Sequence, residues 1–325
     1  MKSYILYISV FLISLILTVV IEARIIPFLK KRAQQPIYEG GPSWHMSKSG
    51  TPTMGGITFL IAISVSLLIA SLVSYIQGKS SDSISLLITL LFAVGNSLIG
   101  ICDDLKKLRK KENAGLTPMQ KIGLQTILAV LFLMAREHFL SDGTQLRIFS
   151  REINLGVFYY LFAVILLLGI VNCANLTDGI DGLASSIAVT IGFSFFIIAF
   201  QTSTVTTLSS ALVGGAIGFL FFNSHPARIF MGDTGSLFLG ALAVGIAFSI
   251  RNPLLIILIG IVYVIEGASV ILQVTFYKAT KKRLFKMAPL HHHLERCGLN
   301  ENKICLVAVL TTLVFSAISF LLLRG

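Results

Sequence analysis

ITFLIAISVSLLIASLVSYI, residues 57–76, carries no charged side chain over its whole length. A helix rises about 1.5 Å per residue, so crossing the hydrocarbon core of a bilayer takes about 20 apolar residues, roughly 17 at least. This stretch reads as a membrane span. Similar runs recur near residues 4–21, 84–101, 122–135, 157–171, 183–200, 208–222, 236–250, 254–275 and 304–323. The runs 122–135, 157–171, 208–222 and 236–250 reach spanning length only with help from their flanks. Composition agrees: 55% of residues are hydrophobic and 13% charged, where a soluble chain carries about 25% charged. The expected fold is an all-α polytopic membrane protein of about ten transmembrane helices, forming a single domain over residues 1–325. The first run is longer than the apolar region of a signal peptide, and no A-x-A-like site precedes Glu22, Ala23 and Arg24, so it is expected to stay as a span.

Basic residues orient the spans. Alternating from the first run, the loops 22–56, 102–121, 172–182, 223–235 and 276–303 carry 19 of the 26 lysines and arginines, and the other side carries 7. Positive loops face the cytosol, so both termini are expected outside. The net charge of +11 then reflects topology and contact with anionic headgroups. Nucleic-acid binding is disfavoured, because no basic stretch interleaves aromatics. Cys102, Cys173, Cys297 and Cys305 form no C-x-x-C pair, which points to neither disulfides nor a zinc site.

VNCANLTDGIDGLAS, residues 171–185, places two asparagines and two aspartates between apolar runs. Asp103, Asp104, Asp178, Asp181 and Asp233 all fall on the expected cytosolic side, together with Lys48, Lys121 and the triple His291, His292, His293. A polar site assembled from cytosolic loops is the simplest account. Clustered carboxylates without thiolates favour a hard cation, Mg²⁺ before Zn²⁺. Adjacent Asp103 and Asp104 differ by about 100° on a helix, so at most one faces the metal. Glycine-rich GTPTMGG and FMGDTG suit phosphate oxygens, which backbone N–H groups can approach closely. Together these features read as phosphoryl-transfer machinery with a lipid as second substrate.

Structural roles compete at several positions. Asp178 and Asp181 also suit helix capping. The run from Lys106 to Lys111 reads as a headgroup-facing stretch, with Lys107 the exception to watch. Consecutive histidines cannot converge on one ion from a helix, so phosphate contact by one or two of them is expected. Glu266, inside an apolar run, is either functional or a helix-bending residue beside Gly267.

HMSKSGTPTMGG (45–56), ICDDLKKLRKKENAGL (101–116), NCANLTDGIDGLA (172–184), FFNSHPARIFMGDTGSLFLG (221–240) and MAPLHHHLE (287–295) resemble, in order, the motifs of the phospho-N-acetylmuramoyl-pentapeptide transferases. These belong to the polyprenyl-phosphate N-acetylhexosamine-1-phosphate transferase superfamily. GTPTMGG and APLHHH are closer to the muramoyl branch than to the N-acetylglucosamine branch. Leu294 departs from an aromatic common at that position.

The resemblance implies transfer of phospho-MurNAc-pentapeptide from UDP-MurNAc-pentapeptide to undecaprenyl phosphate, with release of UMP. It implies Mg²⁺, ten transmembrane helices, a homodimer and a bacterial plasma membrane with the site facing the cytoplasm. It casts Asp233 as metal ligand and Asp103 and Asp104 as the catalytic pair near the lipid phosphate. Phe230 would stack on uracil, and Leu176, Gly179, Asp181 and Asn223 would line the nucleoside pocket. Lys48, Lys121, Asn172, Asn175, Asp178 and His291 to His293 would complete the substrate site. Two other readings stay open: a sister enzyme using UDP-N-acetylglucosamine, and a transporter. A transporter places polar groups near the midplane, where only Glu266 and Gln273 qualify.

Overall fold

The structure, a computed structural model, describes residues 2–33, 48, 50–110, 115–148 and 151–324. Each apolar run forms a helix: α1 (Lys2–Arg32), α2 (Gly56–Ile76), α3 (Ser80–Lys110), α4 (Pro118–Leu140), α5 (Phe158–Thr177), α6 (Leu183–Ile198), α7 (Ser203–Asn223) and α8 (Gly232–Ser249). The run at 254–275 is divided into α9 (Leu255–Ile259) and α10 (Ile261–Thr280); α11 (Leu290–Arg296) and α12 (Glu301–Arg324) complete the chain. Among the described residues nine helices are long and apolar enough to cross a membrane. The tenth expected span is α6, whose 16 residues cover only about 24 Å.

The single expected span over 254–275 breaks at Gly260, where α9 ends and α10 begins. A Cβ there would lie 2.7 Å from the Ile256 carbonyl. Glu266 and Gly267 sit inside continuous α10, and the break falls six residues before Glu266. A second departure from an all-helical chain is a small antiparallel hairpin, β1 (Gln145–Ile148) with β2 (Arg151–Asn154), joining α4 to α5.

Helix α8 is the axis of the bundle, buried without interruption from Thr234 to Phe248. Helices α1, α4 and α12 lie outside and expose Leu12, Ile16, Leu131, Met134, Leu310 and Leu321, as a hydrocarbon surround requires. Two glycines set the contacts that matter for function. A Cβ on Gly56 would lie 2.3 Å from Gly235 Cα, and one on Gly100 would lie 2.3 Å from the Asp233 carbonyl oxygen. Helices α2 and α3 therefore both pass in backbone contact with the start of α8.

Candidate active site

Four locally encoded features deliver the site. Helix α3 runs past its apolar stretch to Lys110, which keeps Asp103 and Lys107 four residues apart on one face. In that order the two attract, and Lys107 Nζ lies 2.6 Å from Asp103 Oδ2. Thr117, Pro118 and Gln120 form a capping box that starts α4, with Thr117 Oγ1 accepting from Gln120 N at 3.3 Å and Gln120 Oε1 accepting from Thr117 N at 3.0 Å. Lys121 thus emerges from the first turn. The α5 C-terminus ends in NLTD, and the α8 N-terminus presents Asp233.

These ends meet. Lys121 Nζ bonds Asp233 Oδ2 and lies 3.3 Å from Asp103 Oδ2; Lys107 Nζ lies 3.3 Å from Asp233 Oδ2. Asn175 Nδ2 donates to Asp233 Oδ1 at 3.1 Å and to Ser236 Oγ at 2.8 Å. Leu116 N donates to Asp103 Oδ1 at 2.6 Å. Gly115 is required beside it, because a Cβ would fall 2.3 Å from the same oxygen.

Asp104 does something different from its neighbour. It accepts from Asp233 N at 3.2 Å, Thr234 N at 2.9 Å and Thr234 Oγ1 at 2.7 Å. These are first-turn donors of α8, so Asp104 caps that helix from α3 and mounts Asp233. Oxygens of Asp103, Asp104 and Asp233 lie within 4.8 Å of one another. That all-carboxylate set could hold a hard metal ion.

A second cluster lies beside the first, across the turn from Asp178 to Gly182. Lys48 Nζ lies 2.7 Å from Asp181 Oδ1 and 2.8 Å from Glu301 Oε2, and Asp181 N donates to Glu301 Oε2 at 2.7 Å. Asp181 Oδ2 meets His225 Nδ1 at 2.9 Å and Ala227 N at 3.0 Å. Lys48 and Asp181 are therefore held together, apart from Asp103 and Asp233. Asp178 makes no side-chain hydrogen bond among the described residues. Burial pushes its carboxyl up to about 8, with the carboxylates of Asp233, Asp104 and Asp181 adding to the rise.

The remaining expected residues divide. Phe230 is clamped by backbone: its N–H donates to Pro52 O at 2.8 Å, and its carbonyl accepts from Gly55 N at 2.9 Å. Leu176 is exposed at the rim. Asn223 is buried with both ends used, bonding Ser185 Oγ at 2.8 Å, Gly182 N at 3.2 Å and Ile229 O at 3.0 Å. It shapes the turn that carries Asp181. Asn172 points away, to Gln125 Oε1 at 2.8 Å.

The three histidines go three ways, as their helical spacing dictates. His293 Nδ1 accepts from Lys286 N at 3.1 Å, and His292 Nδ1 lies 2.6 Å from Glu295. His291 is fully buried on Glu266, which receives its N–H at 3.2 and 3.3 Å and meets Nδ1 at 3.1 Å. His291 Nε2 has no partner and lies against Gly179, where a Cβ would come within 2.1 Å of it. Glu266 is thus the mount of His291.

Thr234, His225 and Glu301 were not expected in the site, whereas Lys107 was the exception to watch in a run read as headgroup-facing. The i, i+4 spacing from Asp103 was a legible signal for Lys107. Glu301, at the first position of α12, belongs to no polar pattern in the sequence.

The Glycosyl transferase family 4 model matches residues 83–251, and the signature 1 model of the phospho-N-acetylmuramoyl-pentapeptide-transferases matches residues 48–60. A phospho-N-acetylmuramoyl-pentapeptide-transferase of Clostridium botulinum is 42% identical over 322 residues, covering 97% of this chain and 96% of its own. Enzymes of the same name from Halalkalibacterium halodurans and Listeria welshimeri are 41% and 43% identical, covering 96% and 92% of this chain and 95% and 92% of theirs. The matched segments contain every carboxylate of the first cluster and Lys48 of the second. The chain belongs to the phospho-N-acetylmuramoyl-pentapeptide-transferase family.

Proposed function

We propose that this chain moves phospho-MurNAc-pentapeptide from UDP to undecaprenyl phosphate at the Asp103–Asp233 cluster, facing the cytoplasm of a bacterial plasma membrane. The observation that carries this reading is the meeting of two lysines and two carboxylates at one end of an otherwise apolar bundle. An oxygen of the lipid phosphate attacks the phosphorus next to the sugar. The bond from that phosphorus to the bridging oxygen breaks, and UMP leaves with that oxygen.

Both reactants are anions, so charge must be neutralised before they meet. Lys107 and Lys121 each lie in ion-pair reach of both Asp103 and Asp233, and each ammonium carries three N–H donors that a phosphate oxygen can engage. Asp233 and Asp103 would hold Mg²⁺ from the Oδ2 atoms that now face the Lys107 and Lys121 ammonium groups, whereas Asp104 serves three donors of α8. Bound there, Mg²⁺ supplies further neutralisation and orients the diphosphate. A phosphate monoester has a second pKa near 6 and is largely dianionic at neutral pH. Asp103 therefore orients the acceptor through Lys107 rather than deprotonating it. Glu266 fixes His291 against Gly179, so that the buried ring supports the turn from Asp178 to Gly182 beside the donor substrate. Phe230 offers its face to uracil, and the apolar spans hold the polyprenyl tail so that its phosphate sits at the cluster. A homodimer is part of the proposal.

Purified protein given undecaprenyl phosphate and either UDP-MurNAc-pentapeptide or UDP-N-acetylglucosamine should release UMP only with the first. Release from UDP-N-acetylglucosamine alone would move the chain to the sister branch.

A further inference from the structure

The turn from Asp178 to Gly182 begins beside the first cluster, since the charges of Asp233 and Asp104 act on the Asp178 carboxyl. Further along, both backbone groups of Asp181 are held by α12. Its N–H donates to Glu301 Oε2 at 2.7 Å, and its carbonyl accepts from Cys305 Sγ at 3.4 Å. Glu301 and Cys305 are four residues apart and so share one face of the helix. The same Glu301 oxygen takes Lys48 Nζ at 2.8 Å, while Asp181 Oδ1 takes it at 2.7 Å. One carboxylate thus ties together Lys48, the turn after α5 and the start of α12.

Capping does not account for Glu301. Asn300 already serves the first turn of α12, its Oδ1 accepting from Lys303 N at 2.9 Å. A carboxylate kept only for the helix dipole has no need of burial. Glu301 is 8% exposed, and a buried charge is costly unless it is paired and hydrogen-bonded. Its partners are Lys48 and the Asp181 N–H. Lys48 bonds both carboxylates yet keeps 17% of its side chain exposed, so a ligand can still reach it.

We propose, resting on the donor reading above, that Glu301 is a positioning residue of the donor site. It holds Lys48 and the turn from Asp178 to Gly182 in the arrangement that takes the nucleotide of the UDP-sugar. Its reach matters more than its charge, since one oxygen serves both donors. Two conservative variants separate the two properties. Glu301→Gln keeps an oxygen at full reach without the charge, and Glu301→Asp keeps the charge but is shorter by about 1.5 Å, one C–C bond.

UMP, the nucleotide common to both UDP-sugar donors, is titrated into full-length protein in detergent by calorimetry. KM and kcat for UDP-MurNAc-pentapeptide are measured alongside. Glu301→Asp should weaken UMP binding about tenfold, the weight of one hydrogen bond to a charged group. It should raise KM by a similar factor with kcat nearly unchanged, as loss of uniform binding does. Glu301→Gln should stay within about threefold of wild type, because its oxygen still meets both donors. A residue acting only as a charge gives the opposite order: Glu301→Gln binds anionic UMP more tightly and Glu301→Asp matches wild type. That order, or two variants that both match wild type, would overturn the positioning role. Tighter binding by Glu301→Gln is enough by itself to do so, should Glu301→Asp fail to fold. Wild-type protein unable to bind UMP would overturn the donor reading, and this role with it.

Discussion

Asp104→Asn separates a positioning role from a chemical one. The wild-type carboxylate serves three donors at the start of α8: Asp233 N, Thr234 N and Thr234 Oγ1. Asparagine keeps the volume and one carbonyl oxygen, which can stay with Thr234. Its NH₂ would then face Asp233 N–H, donor against donor. One accepted bond is lost outright and the charge assistance of the others disappears, together with the favourable carboxylate at a helix N-terminus. A bond to a charged group is worth about 1.5–3 kcal/mol and a cap about 0.5–2 kcal/mol. Non-additivity and relaxation put the net near 2 kcal/mol, or about 4–8 °C of melting temperature.

Thermal unfolding in detergent and UMP release should be measured together, with Asp233→Asn as comparator. Asp104→Asn should lower the melting temperature by that amount and raise the Mg²⁺ concentration needed for half activity, because Asp233 loses its mount. Asp233→Asn should nearly abolish turnover with little change in melting temperature, since Lys107 and Lys121 keep Asp103. An Asp104→Asn protein that melts like wild type yet is inactive at any Mg²⁺ concentration would refute the mounting role.

Phe230→Ala should raise KM for the UDP-sugar roughly 5- to 150-fold, the equivalent of about 1–3 kcal/mol of base stacking, with a smaller effect on kcat; loss of kcat alone would give the ring another task. The Asp178 carboxyl stands at about 8 against an ordinary 3.8, so across that interval the folded protein holds one proton more than the unfolded chain. Stability should then fall as pH rises from about 4 to 8, and Asp178→Asn should remove that part of the slope, with identical melting profiles against pH counting as failure. Labels at Lys79 and Arg251 should react from outside intact cells and a label at Lys281 should not; the reverse would place the carboxylates on the outer face. Lipid-free protein, verified by mass spectrometry, should not exchange labelled UMP into UDP-sugar, because direct attack needs the acceptor. Exchange without lipid would make an aspartate the nucleophile.

Hydrophobicity adds up along a chain, so the sequence by itself determined the membrane class and the near-complete set of helices. Residues 57–76 become α2 with one residue added at its start. The motifs likewise exposed Asp103, Lys121, Asn175 and Asp233, because polar residues at the ends of apolar runs stand out wherever they occur. What each one does was not local. Asp103 and Asp104 are adjacent and alike, yet one meets Lys107 and the other mounts α8. That difference is set by the rotation of α3 against α8, which the close pass at Gly100 fixes. Lys48 binds Asp181 and Glu301, partners 133 and 253 residues away. Glu266 was ambiguous as a lone carboxylate in an apolar run until α11 laid His291 on it. Such pairings depend on packing between helices distant in sequence, and no periodicity or composition within any one helix encodes them.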